Sequence, residues 1–155
     1  MHMRFCSLLL VTMLGSVALH AQQDPLVGTW KLNLTKSQQG DRGFRSRTST
    51  YEPSGPNGVK LVQDGVTASG EANRAESTGI FDGREYPVAN NAAVDTVVNR
   101  RIDAHRSERV QSKQGKLVNF LERVISPDGR LLTVRQVGID AQGKPISYID
   151  VYDRQ

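Results

Sequence analysis

Three glycines near the C-terminus, Gly115, Gly129 and Gly143, are spaced evenly by 14 residues. Each belongs to a short polar turn: Gln114-Gly115, Pro127-Asp128-Gly129 and Ala141-Gln142-Gly143. Between them lie runs of strand length, Leu117 to Ile125 and Leu131 to Ile139, and Ile146 to Tyr152 follows the last. Strands joined by turns this short must be antiparallel neighbours. The spacing is a structural rhythm of one strand and one hairpin turn, not a solenoid repeat.

The same rhythm extends towards the N-terminus. Trp30, Leu32 and Leu34 alternate with Lys31, Asn33 and Thr35, the period of a half-buried strand. Short strands are predicted at Thr48–Tyr51 and Val59–Val62, separated by the loop Pro53 to Gly58. Asp64-Gly65 and Asp82-Gly83 are each predicted to form a tight turn, because type I′ turns need positive φ at both central residues. Val66 to Ser77 reads as an exposed hairpin, with a weak helix over Ala68 to Glu76 as the other reading. Asn90-Asn91 to Val94 reads as a loop. Thr96 to Ile102 and Ser107 to Ser112 are strands around a turn at Asp103-Ala104-His105.

A meander of eight to ten strands left open would expose one apolar face and two unpaired edges. Closure into an up-and-down barrel removes both problems, whereas a sandwich usually needs long Greek-key crossings that these short turns do not supply. The predicted class is therefore all-β, an antiparallel up-and-down meander closed into a barrel. The inward face is not assigned: Leu131, Thr133, Arg135, Val137 and Ile139 alternate with Leu132, Val134, Gln136 and Gly138, and both sets are mixed.

Residues 1–21 read as a signal peptide, with a basic start at Arg4, an apolar run from Phe5 to Leu19 and cleavage after Ala18 or Ala21. The run is shorter than the roughly 20 residues a spanning helix needs, so no stable membrane span is expected. Residues 22–155 are then one barrel domain, secreted or periplasmic. Cys6 is the only cysteine and lies in the leader, so the mature chain has no disulfide and no thiolate. The formal net charge is +4, carried mostly by scattered arginines. Arg42, Arg45 and Arg47 form the densest group, then Arg100-Arg101 and Arg106/Arg109. Without interleaved aromatics or a known module, they do not read as a nucleic-acid site.

Little else offers chemistry. His105 is the only histidine outside the leader and is expected to be exposed at its turn. It cannot build a zinc site without further ligands, and no nucleophile elbow presents a serine to it. The pairs Glu71/Glu76, Asp82/Glu85 and Asp150/Asp153 are the candidate carboxylate sites, with Glu85 and Asp95 the first to test. No cofactor or phosphate loop is indicated, and no catalysis is expected. Arg101, Arg123 and Arg135 are the candidates for an anion-holding group inside a barrel, against a competing reading as solvated outer residues.

The stretch Gly28-Thr29-Trp30 followed by Lys31-Leu32-Asn33 resembles the first-strand Gly-x-Trp of lipocalin-like (calycin) barrels. In that family the tryptophan packs across the barrel floor and an arginine near the end of the last strand covers it. The resemblance implies Trp30 and Arg154 as that pair, since the chain closes on "VYDR". The lipocalin disulfide and a clear C-terminal helix are absent. The strings "GTWKLN", "YEPSGPNGVK", "DGREYPV" and "SPDGRLLTV" also resemble a group of small secreted bacterial proteins. That resemblance implies a lipocalin-like barrel and brings no activity with it. The function expected is binding of a small apolar or amphipathic ligand. The alternative is a filled barrel serving as an envelope-associated module for a protein partner.

Overall fold

A computed structural model describes residues 24–40, 43–88, 93–140 and 142–155. Residues 1–23, with Cys6 and the stretch read as a signal peptide, Arg42 of the basic group, Asn90-Asn91 and Ala141 lie outside the described residues. Ten strands form one sheet. They are β1 (Gly28–Leu32), β2 (Phe44–Pro53), β3 (Gly58–Thr67), β4 (Ala72–Ile80) and β5 (Asp82–Pro87), then β6 (Thr96–Arg101), β7 (Arg106–Lys113), β8 (Lys116–Ile125), β9 (Leu131–Ile139) and β10 (Pro145–Arg154). Each strand pairs antiparallel with its sequence neighbour except across β4 and β5, and β1 pairs with β10. The result is a nearly closed up-and-down barrel. Its seam lies between β4 and β5, which meet at Phe81 and share no ladder among the described residues.

The C-terminal turns show why the glycine rhythm works. Gln114 (φ 49°) and Gly115 (φ 71°) are both left-handed, as a two-residue turn joining right-twisted strands requires. Asp64-Gly65 and Asp82-Gly83, each predicted to be a tight turn, behave differently from expectation. Asp64-Gly65 is not a turn; it lies inside β3, opposite Thr48 and Arg47 of β2. The hairpin reverses later, at Ala68 to Gly70, where Thr67 N–H donates to the Glu71 carbonyl. Asp82-Gly83 does not centre a hairpin either. The chain bends at Phe81, and Gly83 sits in an irregular stretch of β5 between the Asp82–Arg100 and Glu85–Val98 pairs. An Asp-Gly pair meets the local demand of a bulge as well as that of a turn, so composition alone does not separate the two.

One end of the interior is apolar. Leu26, Trp30, Leu32, Ile125, Leu132 and Tyr152 pack there, with Trp30 and Leu132 fully buried. Residues 24–28 wrap this end, held by a tight turn in which Leu26 N–H donates to Asp24 Oδ1 at 2.9 Å.

Candidate functional site

The interior faces follow from the two-residue period of each strand. On β9 the inward set is Leu132, Val134, Gln136 and Gly138, which leaves Val137 and Ile139 on the outside about 40% exposed. Two adjacent inner rows then run around the barrel. One passes through Asp150, Val134, Arg123 and Ser107 on β10, β9, β8 and β7. The next passes through Tyr148, Gln136, Leu121 and Arg109 on the same strands. From β2 and β3, Arg47, Ser49 and Gln63 complete the enclosure.

These rows surround a cavity of ≈ 180 Å³ above the apolar end. It is a polar space. Its charged groups are Arg47, Arg109, Arg123 and Asp150. Asp150 is 3% exposed and Arg123 only 6%. The Arg47 guanidinium approaches Asp150 Oδ2 at 3.9 Å and donates to Gln63 Oε1 at 2.9 Å. Gln39 Nε2 donates to Asp150 Oδ1 at 3.1 Å, and the Tyr152 hydroxyl reaches Oδ2 at 3.4 Å. Burial pushes the Tyr152 phenol well above its ordinary range, so this hydroxyl stays a donor.

Arg109 and Arg123 have no such counter-charge. Arg123 Nε donates to the Tyr51 hydroxyl at 3.3 Å, and its Nη1 is buried with no partner. Arg109 Nε is likewise buried and unpaired, as is Arg47 Nε. Among the described residues no carboxylate lies within ion-pair distance of Arg109 or Arg123. Desolvation, reinforced by the neighbouring Arg123 charge, pushes Arg109 down to about 10. Buried N–H groups are almost always paired, so orphaned guanidinium nitrogens facing a cavity call for an explanation.

The other candidates do not converge. Asp150 points inward, whereas Asp153 points outward and binds Asn33 Nδ2 at 2.6 Å and Lys36 Nζ at 3.1 Å. Glu76 pairs with Lys60 and Arg74, while Glu71 and Glu85 are exposed and Asp82 takes the Tyr86 hydroxyl. Asp95 is held by Lys113 at 2.6 Å and by the Gln114 N–H. His105 is half-buried rather than exposed, because its turn folds back so that its carbonyl accepts from Ile125 N–H. Among the described residues no cluster of three metal-ligating side chains exists. Of the three anion candidates, Arg123 faces the cavity. Arg135 is exposed, and Arg101 bonds Asp24 and stacks on Phe81 at 4.3 Å. The sequence reading names Arg47 and Arg109 in its two densest basic groups but does not place them among the interior candidates. A signal for them exists: each shares its strand face, at a spacing of two, with a residue able to line an interior, Ser49 beside Arg47 and Gln111 beside Arg109.

Trp30 is 0% exposed, and its indole N–H donates to the Leu26 carbonyl at 2.9 Å. Arg154 is its partner across the β1–β10 ladder, with the guanidinium carbon 4.3 Å from the ring centre. The same guanidinium donates to the carbonyls of Gly129 (2.7 Å), Val27 (3.1 Å) and Pro25. Gly28 has φ 136°, and a Cβ there would lie 2.8 Å from Arg154 Nη1.

No family model matches the sequence, and comparison with curated proteins finds no relative. Solved structures do resemble the fold. The Schistosoma mansoni fatty acid binding protein in complex with arachidonic acid aligns with a TM-score of 0.56 at 13% identity, covering 84% of this chain and 96% of that one. The wild-type fluorescent protein UnaG aligns at 0.55 and 15%, covering 83% and 96%. Zebrafish ileal bile acid-binding protein complexed with cholic acid aligns at 0.50 and 10%, covering 84% and 99%. At these identities the likeness shows the fold, a lipocalin-like β-barrel, and no more. Among the described residues no helix is long and apolar enough to cross a membrane.

Proposed function

We propose that the barrel binds a small amphipathic ligand in its interior and performs no chemistry on it. The observation that carries this reading is the pair Arg123, buried, and Arg109, half-buried with its Nε fully enclosed, both lining the cavity without a carboxylate in ion-pair distance among the described residues. A buried charge is costly unless paired, and an anionic group entering the cavity would supply the partner. Leu61, Leu121 and Val134 offer the ligand an apolar wall. Two of the structurally similar barrels hold arachidonic acid and cholic acid, both carboxylic acids, and that supports an acidic ligand here.

The volume limits the ligand. Drug-sized pockets span about 300–1,000 Å³, and a cavity of about 150 Å³ accommodates benzene. A space of ≈ 180 Å³ suits a ligand of that order. Native mass spectrometry of the protein as isolated, followed by thermal-shift screening against small organic acids, tests the reading. A co-purifying acid or a raised melting temperature is expected; a clean apo mass with no response to any acid would overturn it. The small volume also favours the filled-barrel reading, in which the interior serves only to support an outer face for a protein partner. That reading expects no acid to change the melting temperature.

Export forms part of the proposal. Residues 1–21 as a removed leader would place the barrel outside the cytoplasm. Mass measurement of the protein recovered from an exporting host should show a start after Ala18 or Ala21, and a full-length mass throughout would exclude it.

A further inference from the structure

We infer that the cavity selects a compact dianion, a ligand carrying two negative charges on a short frame, such as a short dicarboxylate or a phosphomonoester. This rests on the anion-binding reading above and adds a charge count to it. The lining holds three guanidinium groups and one carboxylate. That carboxylate, Asp150, is already committed to Arg47, to Gln39 and to the Tyr152 hydroxyl. Arg109 and Arg123 therefore remain as two uncompensated positive charges.

They also converge. In the β7–β8 ladder Arg109 pairs with Leu121 and Ser107 pairs with Arg123, so the two arginines are diagonal neighbours on the inner face. Both border the main cavity and the small recess of ≈ 10 Å³ that continues it towards Phe81 and Asn99. A single negative charge would neutralise one guanidinium and leave the other buried beside it. A dianion neutralises both, and at low effective dielectric that difference is large.

The uncharged lining points the same way. Gln63, Gln111 and Gln136 face the cavity, Gln63 already bonded to Arg47 and Ser49 and Gln136 to Asn119 and Tyr148, so this part of the wall is polar. A long hydrocarbon tail would lie against that polar wall, and ≈ 180 Å³ favours a short frame.

Calorimetric titration of the whole protein in low-chloride buffer near neutral pH separates the possibilities. Succinate and phenyl phosphate are the dianionic probes; butyrate and benzoate are their monoanionic counterparts of similar size. At least one dianion is expected to bind about tenfold or more tightly than its monoanionic counterpart. Preference for succinate assigns the dicarboxylate class, and preference for phenyl phosphate the phosphomonoester class. In Arg109→Gln and Arg123→Gln the discrimination should fall towards unity, with the β-sheet circular dichroism retained. The wild-type ratio stands as a test even where a variant fails to fold. Equal binding of dianion and monoanion would overturn the inference while leaving anion binding intact. Failure of every acid to bind would overturn both.

Discussion

Arg109 is a residue that the barrel holds at a cost. Its pKa is depressed to about 10, below the ordinary guanidinium value, so the unfolded chain binds the proton more tightly than the folded one. For a base this means that the charge opposes folding at every pH below the folded value, and that stability rises between the two values. Arg109→Met should therefore stabilise the ligand-free protein, by about 1–3 kcal/mol, while weakening acid binding. Urea denaturation without added anions reads the first effect. A lowered midpoint would mean that the Arg109 stem and its polar contacts outweigh its desolvation. Arg154 is the opposite case, a cation over an aromatic face with three carbonyl acceptors. Arg154→Ala should cost about 1–3 kcal/mol, and Arg154→Lys should recover less than half, because an ammonium cannot serve the ring and three diverging carbonyls together. The same denaturation experiment checks it; full recovery by lysine would reduce the contact to simple charge.

At the scale of elements, β8 and β9 approach too closely at Gly138 to admit a side chain. A Cβ there would fall 2.3 Å from the Val118 carbonyl oxygen and 2.9 Å from Asn119 Cα. Because backbone must move, Gly138→Ala should cost about 2–3 kcal/mol, roughly 5–10 °C in melting temperature. A shift below about 1 °C would show that the ladder there is compliant. The seam sets a second expectation. Among the described residues β4 has a ladder only to β3 and β5 only to β6, and β4 exposes most of its side chains. Arg74 bridges Asp64 and Glu76 beside the free edge, charge that discourages another strand from pairing there. Amide hydrogen exchange should be fastest in β4 and β5 and slowest in β1, β9 and β10, since local opening follows low contact density. Uniform protection would mean that the seam is closed in solution.

For the molecule as a whole, acid is the predictable stress. Asp153 is held low by Asn33 and Lys36, Asp95 by Lys113 and the Gln114 N–H, and Asp82 by Tyr86 and the Arg84 N–H. A depressed carboxylate contributes stability that is fully present above its unfolded value and is lost as pH falls through its folded one. The melting temperature should thus stay level from about pH 5 to 8 and fall below about pH 4, where unfolded carboxylates begin to take protons first. Asp153→Asn should flatten part of that fall. A protein whose stability ignored pH down to about 2 would not depend on these bonds.

The ordering of strands and the antiparallel meander were legible because they are local. A turn of two or three residues dictates that its flanking strands are neighbours, and the even glycines at 115, 129 and 143 state this three times. Asp64-Gly65 and Asp82-Gly83 misled because the same dipeptide serves mid-strand positions and bulges, and its neighbours in space decide which. The inward face of β9 was hidden for a deeper reason. Its outer set, Leu131, Thr133, Arg135, Val137 and Ile139, is as rich in apolar side chains as the inner set of Leu132, Val134, Gln136 and Gly138. Alternation identifies a buried face only where the interior is apolar, and half of this interior is lined by arginine, glutamine and aspartate. The sequence by itself determined a chain of antiparallel strands in fixed order, since turn chemistry acts within a few residues. Only the tertiary structure decided that Arg47, Arg109, Arg123 and Asp150 line one small cavity, because barrel closure brings β2 and β10 round to face the β7–β8 hairpin.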